Sequence, residues 1–315
     1  MGAMLTTDAN GRRIHYLLAG DQGSPLLMFA GLNTSAARWW PPLIEQLAAR
    51  HTLIMPENRG VVGDVDTLEP FTLAELADDA VAVLDELGMD AVHVFGASMG
   101  GMIAQYLALN HPQRVHSLTL ACTAFGGLHH PDTVNPSMDV VMRVLQPPSG
   151  DRESYIRAGL DIGFPMHFVD AAPAFIDTVV AHRLQFDDLP TRLVQLQFGA
   201  VNLHDTAARL GELSVPTLVV TGGEDVLIPP ENSRRIAARI PDAHLIEYAG
   251  CGHAFLEQAC DQFAADLLGF LQDVDLSAVE YRKLVAAQPS SLDLLRDSPP
   301  VGVDLEITRD VNLGD

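Results

Sequence analysis

Lysine is almost missing from this chain. Of its 19 basic residues only Lys283 is a lysine, and it lies near the C-terminus. The body of the protein therefore lacks the lysine that a phosphate-binding loop or a Schiff-base enzyme requires. Positive charge is scarce altogether: 19 Lys and Arg stand against 41 Asp and Glu, a formal net charge of −22. A field of that sign repels phosphate backbones and argues against nucleic acid as a partner. Cysteine is sparse too. Cys122, Cys251 and Cys260 are odd in number and show no C-x-x-C spacing, so neither a disulfide framework nor a thiolate zinc site is expected, and the default is buried free thiols. No uncharged apolar run reaches the roughly 20 residues that span a bilayer, which argues against a membrane partner. Met1 to Met4 show neither the basic nor the apolar segment of a secretion signal, so a cytoplasmic location is expected.

What is present is a composition that can bury a large core: 48% hydrophobic and 19% charged residues over 315 positions. That length fits two domains, or one large α/β domain carrying an insertion. From Arg13 to about Gln272 short apolar runs alternate with longer helical ones, the signature of an α/β fold with a mostly parallel sheet flanked by helices. Strands are expected at Leu26–Phe29, Thr52–Met55, Ala91–Phe95, Ser117–Ala121, Thr217–Thr221 and His244–Tyr248. Most are too apolar for one face to meet water, as in a parallel sheet covered on both faces. Helices are expected at Thr72–Leu87, opened by a Thr72-x-x-Glu75 capping box, and at Met99–Leu109, Glu231–Arg239 and Phe255–Leu271. Residues 127–209 break the alternation and read as an inserted, mainly helical cap, because a structureless loop of that length is implausible in a compact domain. The core domain then comprises residues 1–126 and 210–273. Residues 274–315 form an extension, partly ordered or docked, with an amphipathic helix around Leu276–Ala287 and a Pro, Ser and Asp-rich tail.

The motif that carries chemistry is Gly96-Ala97-Ser98-Met99-Gly100-Gly101, between an expected strand and an expected helix. There G-x-S-x-G reads as a nucleophile elbow, a strained turn that exposes a serine at the mouth of a helix N-terminus. A serine hydroxyl needs a base, and the base needs a carboxylate to fix its tautomer. Both follow in the order Ser, acid, His. Asp225 stands in Gly222-Gly223-Glu224-Asp225 after one strand, with Glu224 beside it as the other possible acid. His253 stands in Gly250-Cys251-Gly252-His253 after the next. All three fall in loops after strand carboxyl ends, where open α/β sheets bind ligands. His129-His130 suggests a solvated cap entrance rather than a metal site, His111 and His116 read as structural, and Cys251 as a packed thiol. No metal and no cofactor is called for.

On Gly96–Gly101, Gly222–Asp225 with Pro229, Gly252-His253, Ala30-Gly31-Leu32 and Asn58–Gly63, the chain resembles the α/β-hydrolase superfamily, within it the capped serine esterase, enol-lactonase and methylesterase-like group, over roughly Arg13 to Gln272. The resemblance implies an oxyanion hole made by the backbone N–H groups of Leu32 and Met99. Two departures stand out: Ala30 replaces the usual His of the His-Gly pair, and the loop Glu57–Gly63 is one residue longer than usual. Loop rigidity and substrate preference are what these changes touch.

The resulting expectation is hydrolysis of a small to medium, largely apolar carboxylic ester or lactone through an acyl-enzyme, with a second copy of the chain, in a homodimer, as the candidate protein partner. The same triad could serve carbon–carbon bond hydrolysis, thioester cleavage or a biosynthetic elimination, and a ligand receptor on this fold is the reading from another class. Trp39, Trp40, Met138, Met142, Phe164 and Phe168 are candidates for the substrate pocket, with packing inside the cap as the alternative for at least half of the cap residues. The acidity predicts a bias against strongly anionic substrates, unless an arginine such as Arg38, Arg59 or Arg157 reaches the pocket.

Overall fold

The computed structural model describes residues 3–9, 11–146 and 149–287, and the chain divides into two compact units, Met1–Val274 and Asp275–Asp315. The first unit opens with the strands β1 (Leu5–Ala9), β2 (Arg12–Ala19) and β3 (Pro25–Phe29). These are followed by helix α1 (Pro41–Ala48), strand β4 (Thr52–Pro56) and helix α2 (Leu73–Glu86). Next come β5 (Val92–Ala97), α3 (Met99–Asn110) and β6 (Val115–Ala121). Between β6 and the next strand the described residues form the helices α4 (Met138–Leu145), α5 (Arg152–Ala158), α6 (Leu160–Gly163), α7 (Met166–Ala171), α8 (Pro173–Arg183) and α9 (Thr191–Asn202). The sheet resumes with β7 (Thr217–Gly222), α10 (Glu231–Arg239) and β8 (His244–Tyr248), followed by α11 (Phe255–Gln258) and α12 (Cys260–Ala287).

The eight strands form one sheet in the order β1-β2-β4-β3-β5-β6-β7-β8. β1 and β2 pair antiparallel, β2 meets β4 antiparallel, and every pairing from β4 to β8 is parallel. The six strands expected from apolar runs are β3 to β8. The N-terminal pair β1 and β2 was not among them, because its exposed edge carries polar residues such as Thr6, Asp8, Arg12 and Arg13 that interrupt the apolar signal. Successive residues of β3 enter opposite cores: Leu27 and Phe29 pack with Val94, Ile103 and Leu107 on one face, Leu26 and Met28 with Phe95, Leu43 and Phe263 on the other. This two-sided burial is why the strand reads as a continuous apolar run. The helix expected at Phe255–Leu271 is broken at Ala259, and Leu276–Ala287 belongs to one helix that starts at Cys260. Residues 288–315, including the Pro, Ser and Asp-rich tail, lie outside the described residues. Among the described residues no helix is long and apolar enough to cross a membrane.

The predicted capping box is present at α2. Thr72 Oγ1 accepts from the Glu75 N–H at 3.2 Å, and Glu75 Oε2 accepts from the Thr72 N–H at 2.8 Å. Arg59, from the loop after β4, donates to Glu75 Oε1 at 2.8 Å and grips the buried Asp79 through Nε and Nη2 at 2.6 and 2.9 Å. The Arg59 hydrogen bond, helped by the Thr72 N–H, pushes the Glu75 carboxyl from 4.5 down to about 2. A depressed carboxyl stabilises the fold above its unfolded pKa and loses that contribution as pH falls through the folded value. Glu75→Gln is therefore expected to lower the urea midpoint at pH 6, with the gap to the unsubstituted protein narrowing steadily below pH 4.5. Equilibrium denaturation of both proteins across that range checks this.

Candidate active site

Ser98 sits between β5 and α3 with φ 57° and ψ −122°, a left-handed conformation that a non-glycine residue adopts only under constraint. The constraint is packing. Helix α3 runs so close to β3 that a Cβ on Gly100 would meet Phe29 O at 2.1 Å, and one on Gly96 would meet Gly100 O at 2.2 Å. The turn is pinned from both ends: the Ser98 N–H donates to Ala121 O at 2.8 Å, and Thr123 Oγ1 donates to Ser98 O at 2.8 Å. The serine side chain is left half-buried on the wall of a cavity of about 810 Å³.

Asp225 and His253 arrive from the loops after β7 and β8. His253 Nδ1 lies 2.7 Å from Asp225 Oδ2, and the other carboxylate oxygen accepts the N–H groups of Leu227 and Ile228, each at 2.8 Å. The Asp225 side chain is 0% exposed. Because its carboxylate can only accept, the proton of a neutral His253 resides on Nδ1, which leaves Nε2 with a free lone pair. His253 lines the same cavity as Ser98. Among the described residues no hydrogen bond joins the two side chains, a contact that in unliganded sites is often long and tightens around substrate. The neighbouring Glu224 faces elsewhere: its side chain is half exposed and lies 3.7 Å from His167.

Leu32 and Met99 also line the cavity. Met99 is the first residue of α3, so its N–H has no acceptor within the helix. The loop carrying Leu32 is held by partners that are distant in sequence. The buried Gln197 of α9 accepts the N–H of Asn33, a residue at φ 57°, through Oε1 at 2.9 Å. From the loop after β4, Asn58 Nδ2 reaches Ala30 O at 3.4 Å. Glu57 accepts from Ser35 Oγ and from the Ala36 N–H, both at 2.9 Å. Burial pushes the Glu57 carboxyl up despite these bonds. The Glu57–Gly63 loop and the Ala30 position thus meet in one hydrogen-bonded assembly. Gln197 has no sequence signal, because it stands in no motif and its contact is long-range; Glu57 is legible only as the first residue of the loop Glu57–Gly63, and its bonds to Ser35 and Ala36 are not.

The pocket candidates separate. Trp39 and Trp40 line the cavity while also packing inward, Trp39 on Phe95 at 5.5 Å and Trp40 edge-on to His182 at 5.3 Å. Met138 and Met142, 70% and 61% exposed, take the outer face of α4, whose inner face presents Val140 and Val141. Phe164 is buried and stacked on Phe168 in the packing between α6, α7 and α8, away from the cavity wall. The inserted segment lines the cavity instead with residues such as Val141, Tyr155, Ile156, Phe186 and Phe198. Of the three arginines singled out, Arg38 lines the cavity; Arg59 is tied to Glu75 and Asp79, and Arg157 to Glu153 and Asp177 on the surface. His129 is exposed, and His130 lies 3.8 Å from Asp205 and edge-on to Phe125. Burial raises the thiols of Cys122, another cavity residue, and Cys251, which disfavours the reactive thiolate in both.

A family model described as the alpha/beta hydrolase fold matches residues 24–259. A protein of Azorhizobium caulinodans named as a carbamate hydrolase, RutD, is 32% identical over 266 residues, covering 83% of this chain and 96% of its own length. The rhodomycin D methylesterase DauP of Streptomyces sp. strain C5 is 30% identical over 261 residues, 73% of this chain and 85% of its own length. The solved structure of Est816, described as an N-acyl homoserine lactone degrading enzyme, superposes with a TM-score of 0.67 at 26% identity, covering 84% of this chain and 100% of that one.

The 2.7 Å pairing of His253 with the enclosed Asp225 predicts a downfield, slowly exchanging imidazole proton in the ¹H NMR spectrum, absent in Asp225→Ala. Its persistence in that variant would show that another group holds the ring.

Proposed function

The chain belongs to the α/β-hydrolase fold family, and on that premise we propose that it is a serine hydrolase that cleaves a small to medium carboxylic ester or lactone through an acyl-enzyme. The observation that carries this reading is the hydrogen bond of His253 Nδ1 to the enclosed Asp225, beside a strained Ser98 on the same cavity wall. The named activities of the relatives, on a carbamate, a methyl ester and an acyl lactone, all concern a carbonyl bearing a heteroatom leaving group.

Ser98 Oγ attacks the substrate carbonyl carbon while its proton passes to His253 Nε2. The Leu32 and Met99 N–H groups receive the negative charge that develops on the carbonyl oxygen. Asp225 keeps the ring in the productive tautomer and stabilises the imidazolium that forms. As the tetrahedral centre collapses, the carbon–oxygen bond to the leaving group breaks and His253 returns its proton to the departing alkoxide. A water then repeats the sequence: it gives a proton to Nε2, adds to the acyl carbon, and releases the carboxylic acid as Ser98 recovers its proton. Residues 127–209 act as a cap: side chains of α4, α5 and α9 close the cavity over these groups, and the apolar ones among them, such as Val141, Ile156 and Phe198, suit the body of the substrate.

Ser98→Ala is expected to lower kcat on p-nitrophenyl esters by roughly 10⁵- to 10⁶-fold and to abolish labelling by a serine-directed phosphonate. Labelling that survives the substitution would overturn the assignment.

A further inference from the structure

In a chain with more than twice as many acidic as basic residues, the wall of this one cavity carries four guanidinium groups, Arg38, Arg143, Arg152 and Arg183, against the carboxylates of Asp188 and Glu257. Two of the four are neutralised locally: Arg143 holds Asp161 through two nitrogens, one at 2.8 Å, and Arg183 pairs with Glu257 at 3.2 Å. Arg152 pairs with Asp188, donating from Nη2 to Oδ1 at 3.5 Å, and its terminal nitrogens also reach Leu184 O at 3.3 Å and Arg183 O at 3.5 Å. Arg152 Nε lies 3.3 Å from Asp188 Oδ2, yet it is buried and has no hydrogen-bond partner in usable geometry. Arg38 makes no hydrogen bond to a carboxylate among the described residues; its terminal nitrogens donate to the carbonyl oxygens of Asn33, at 3.4 Å, and Asp187.

The two guanidinium groups meet adjacent residues, Arg38 the carbonyl of Asp187 and Arg152 the carboxylate of Asp188; burial and Arg152 disfavour the charge on Arg38, and the carboxylates of Asp188, Glu57 and Asp187 favour it. Two like charges are thus drawn together at a partly dry wall, and the buried Arg152 Nε there is left without a hydrogen-bond partner. The Phe186 ring lies 5.7 Å from the Arg38 guanidinium and lines the same cavity, which restricts the orientation of that group. A planar guanidinium with an unused donor suits a carboxylate. Arg38 also closes the short 3₁₀ turn Ala36–Arg38 that follows the Leu32 loop, and its bond to Asn33 O ties it to that loop. The positive site and the expected oxyanion hole therefore belong to one continuous stretch of chain.

We propose that Arg38 and Arg152 form a subsite for a carboxylate on the substrate, so that the preferred substrate is a half-ester or an acidic lactone with an apolar body and one anionic end. This rests on the reading of Ser98 as the nucleophile of the same cavity. The overall charge of −22 then acts as a filter: it repels anions from the rest of the surface, while the cavity accepts them where the arginines collect.

The test is steady-state hydrolysis by the full-length protein of p-nitrophenyl hydrogen glutarate and p-nitrophenyl valerate, which differ by a carboxylate in place of a terminal methyl. The half-ester is expected to show kcat/KM at least about 10-fold higher, and the ratio of the two substrates is expected to fall by roughly 10- to 100-fold in Arg152→Leu and in Arg38→Met, the range of a charge-assisted hydrogen bond. Added salt should reduce the preference in the unsubstituted protein. Equal or better turnover of the valerate ester by the unsubstituted protein would overturn the proposal, as would a preference that both variants retain. If one variant fails to fold, the other decides. Ester hydrolysis that survives Ser98→Ala, together with a preference for the half-ester that both arginine variants lose, would remove the nucleophile assignment and leave the subsite standing; loss of hydrolysis in Ser98→Ala without any half-ester preference would do the reverse.

Discussion

The constraint on which this structure turns is the approach of helix α3 to strands β3 and β5. Helix and sheet meet at backbone distance, closer than any side chain at Gly96 or Gly100 would permit. That closeness forces Ser98 into a left-handed conformation and places it at the end of a central strand, with the unpaired N–H groups of a helix beginning immediately after it. Loosening the contact would relax the turn, turn the hydroxyl away from the cavity and move the Met99 amide with it. The two apolar cores, one on each face of the sheet, hold the elements in this register.

Around that elbow the remaining groups are fixed by bonds that leave little freedom. Asp225 spends one oxygen on two backbone amides and the other on His253, so its orientation is determined before any substrate arrives. The Leu32 loop is held from three sides, by Gln197 of the inserted segment, by Asn58 and by Glu57 with the turn at Ser35 and Ala36. Pre-oriented dipoles of this kind favour charge developing in a transition state, because they need not reorganise when it appears. The same arrangement makes the inserted segment a structural partner of the loop as well as a wall of the cavity.

The charge distribution gives the molecule a second level of organisation. Among the described residues, acidic side chains pair with surface arginines, as at Arg157, Arg234 and Arg239. Within the cavity the balance reverses: Arg38, Arg143, Arg152 and Arg183 line it against Asp188 and Glu257, and Arg152 keeps a buried Nε without a hydrogen-bond partner. Net charge and the charge of the cavity wall are therefore separate quantities here.

The sequence by itself determined what depends on neighbours along the chain: the six parallel strands, the capping box at Thr72 and Glu75, the elbow at Ser98, and the placing of Asp225 and His253 in loops after strands. These follow from local periodicity, turn chemistry and the order of elements. Tertiary structure alone decided what depends on which way a side chain faces. Asp225 and Glu224 are adjacent residues, and only the packing of two strand-end loops turns one toward His253 and the other to the surface. Met138 and Met142 share a helix with Val140 and Val141, and the neighbouring helices selected the valines for burial. Gln197 reaches Asn33 across 164 residues, and Arg38 enters the cavity while Arg59 and Arg157 do not. Local pattern sets which element forms; the facing of each side chain is set by contacts between segments remote in sequence, which no local pattern records.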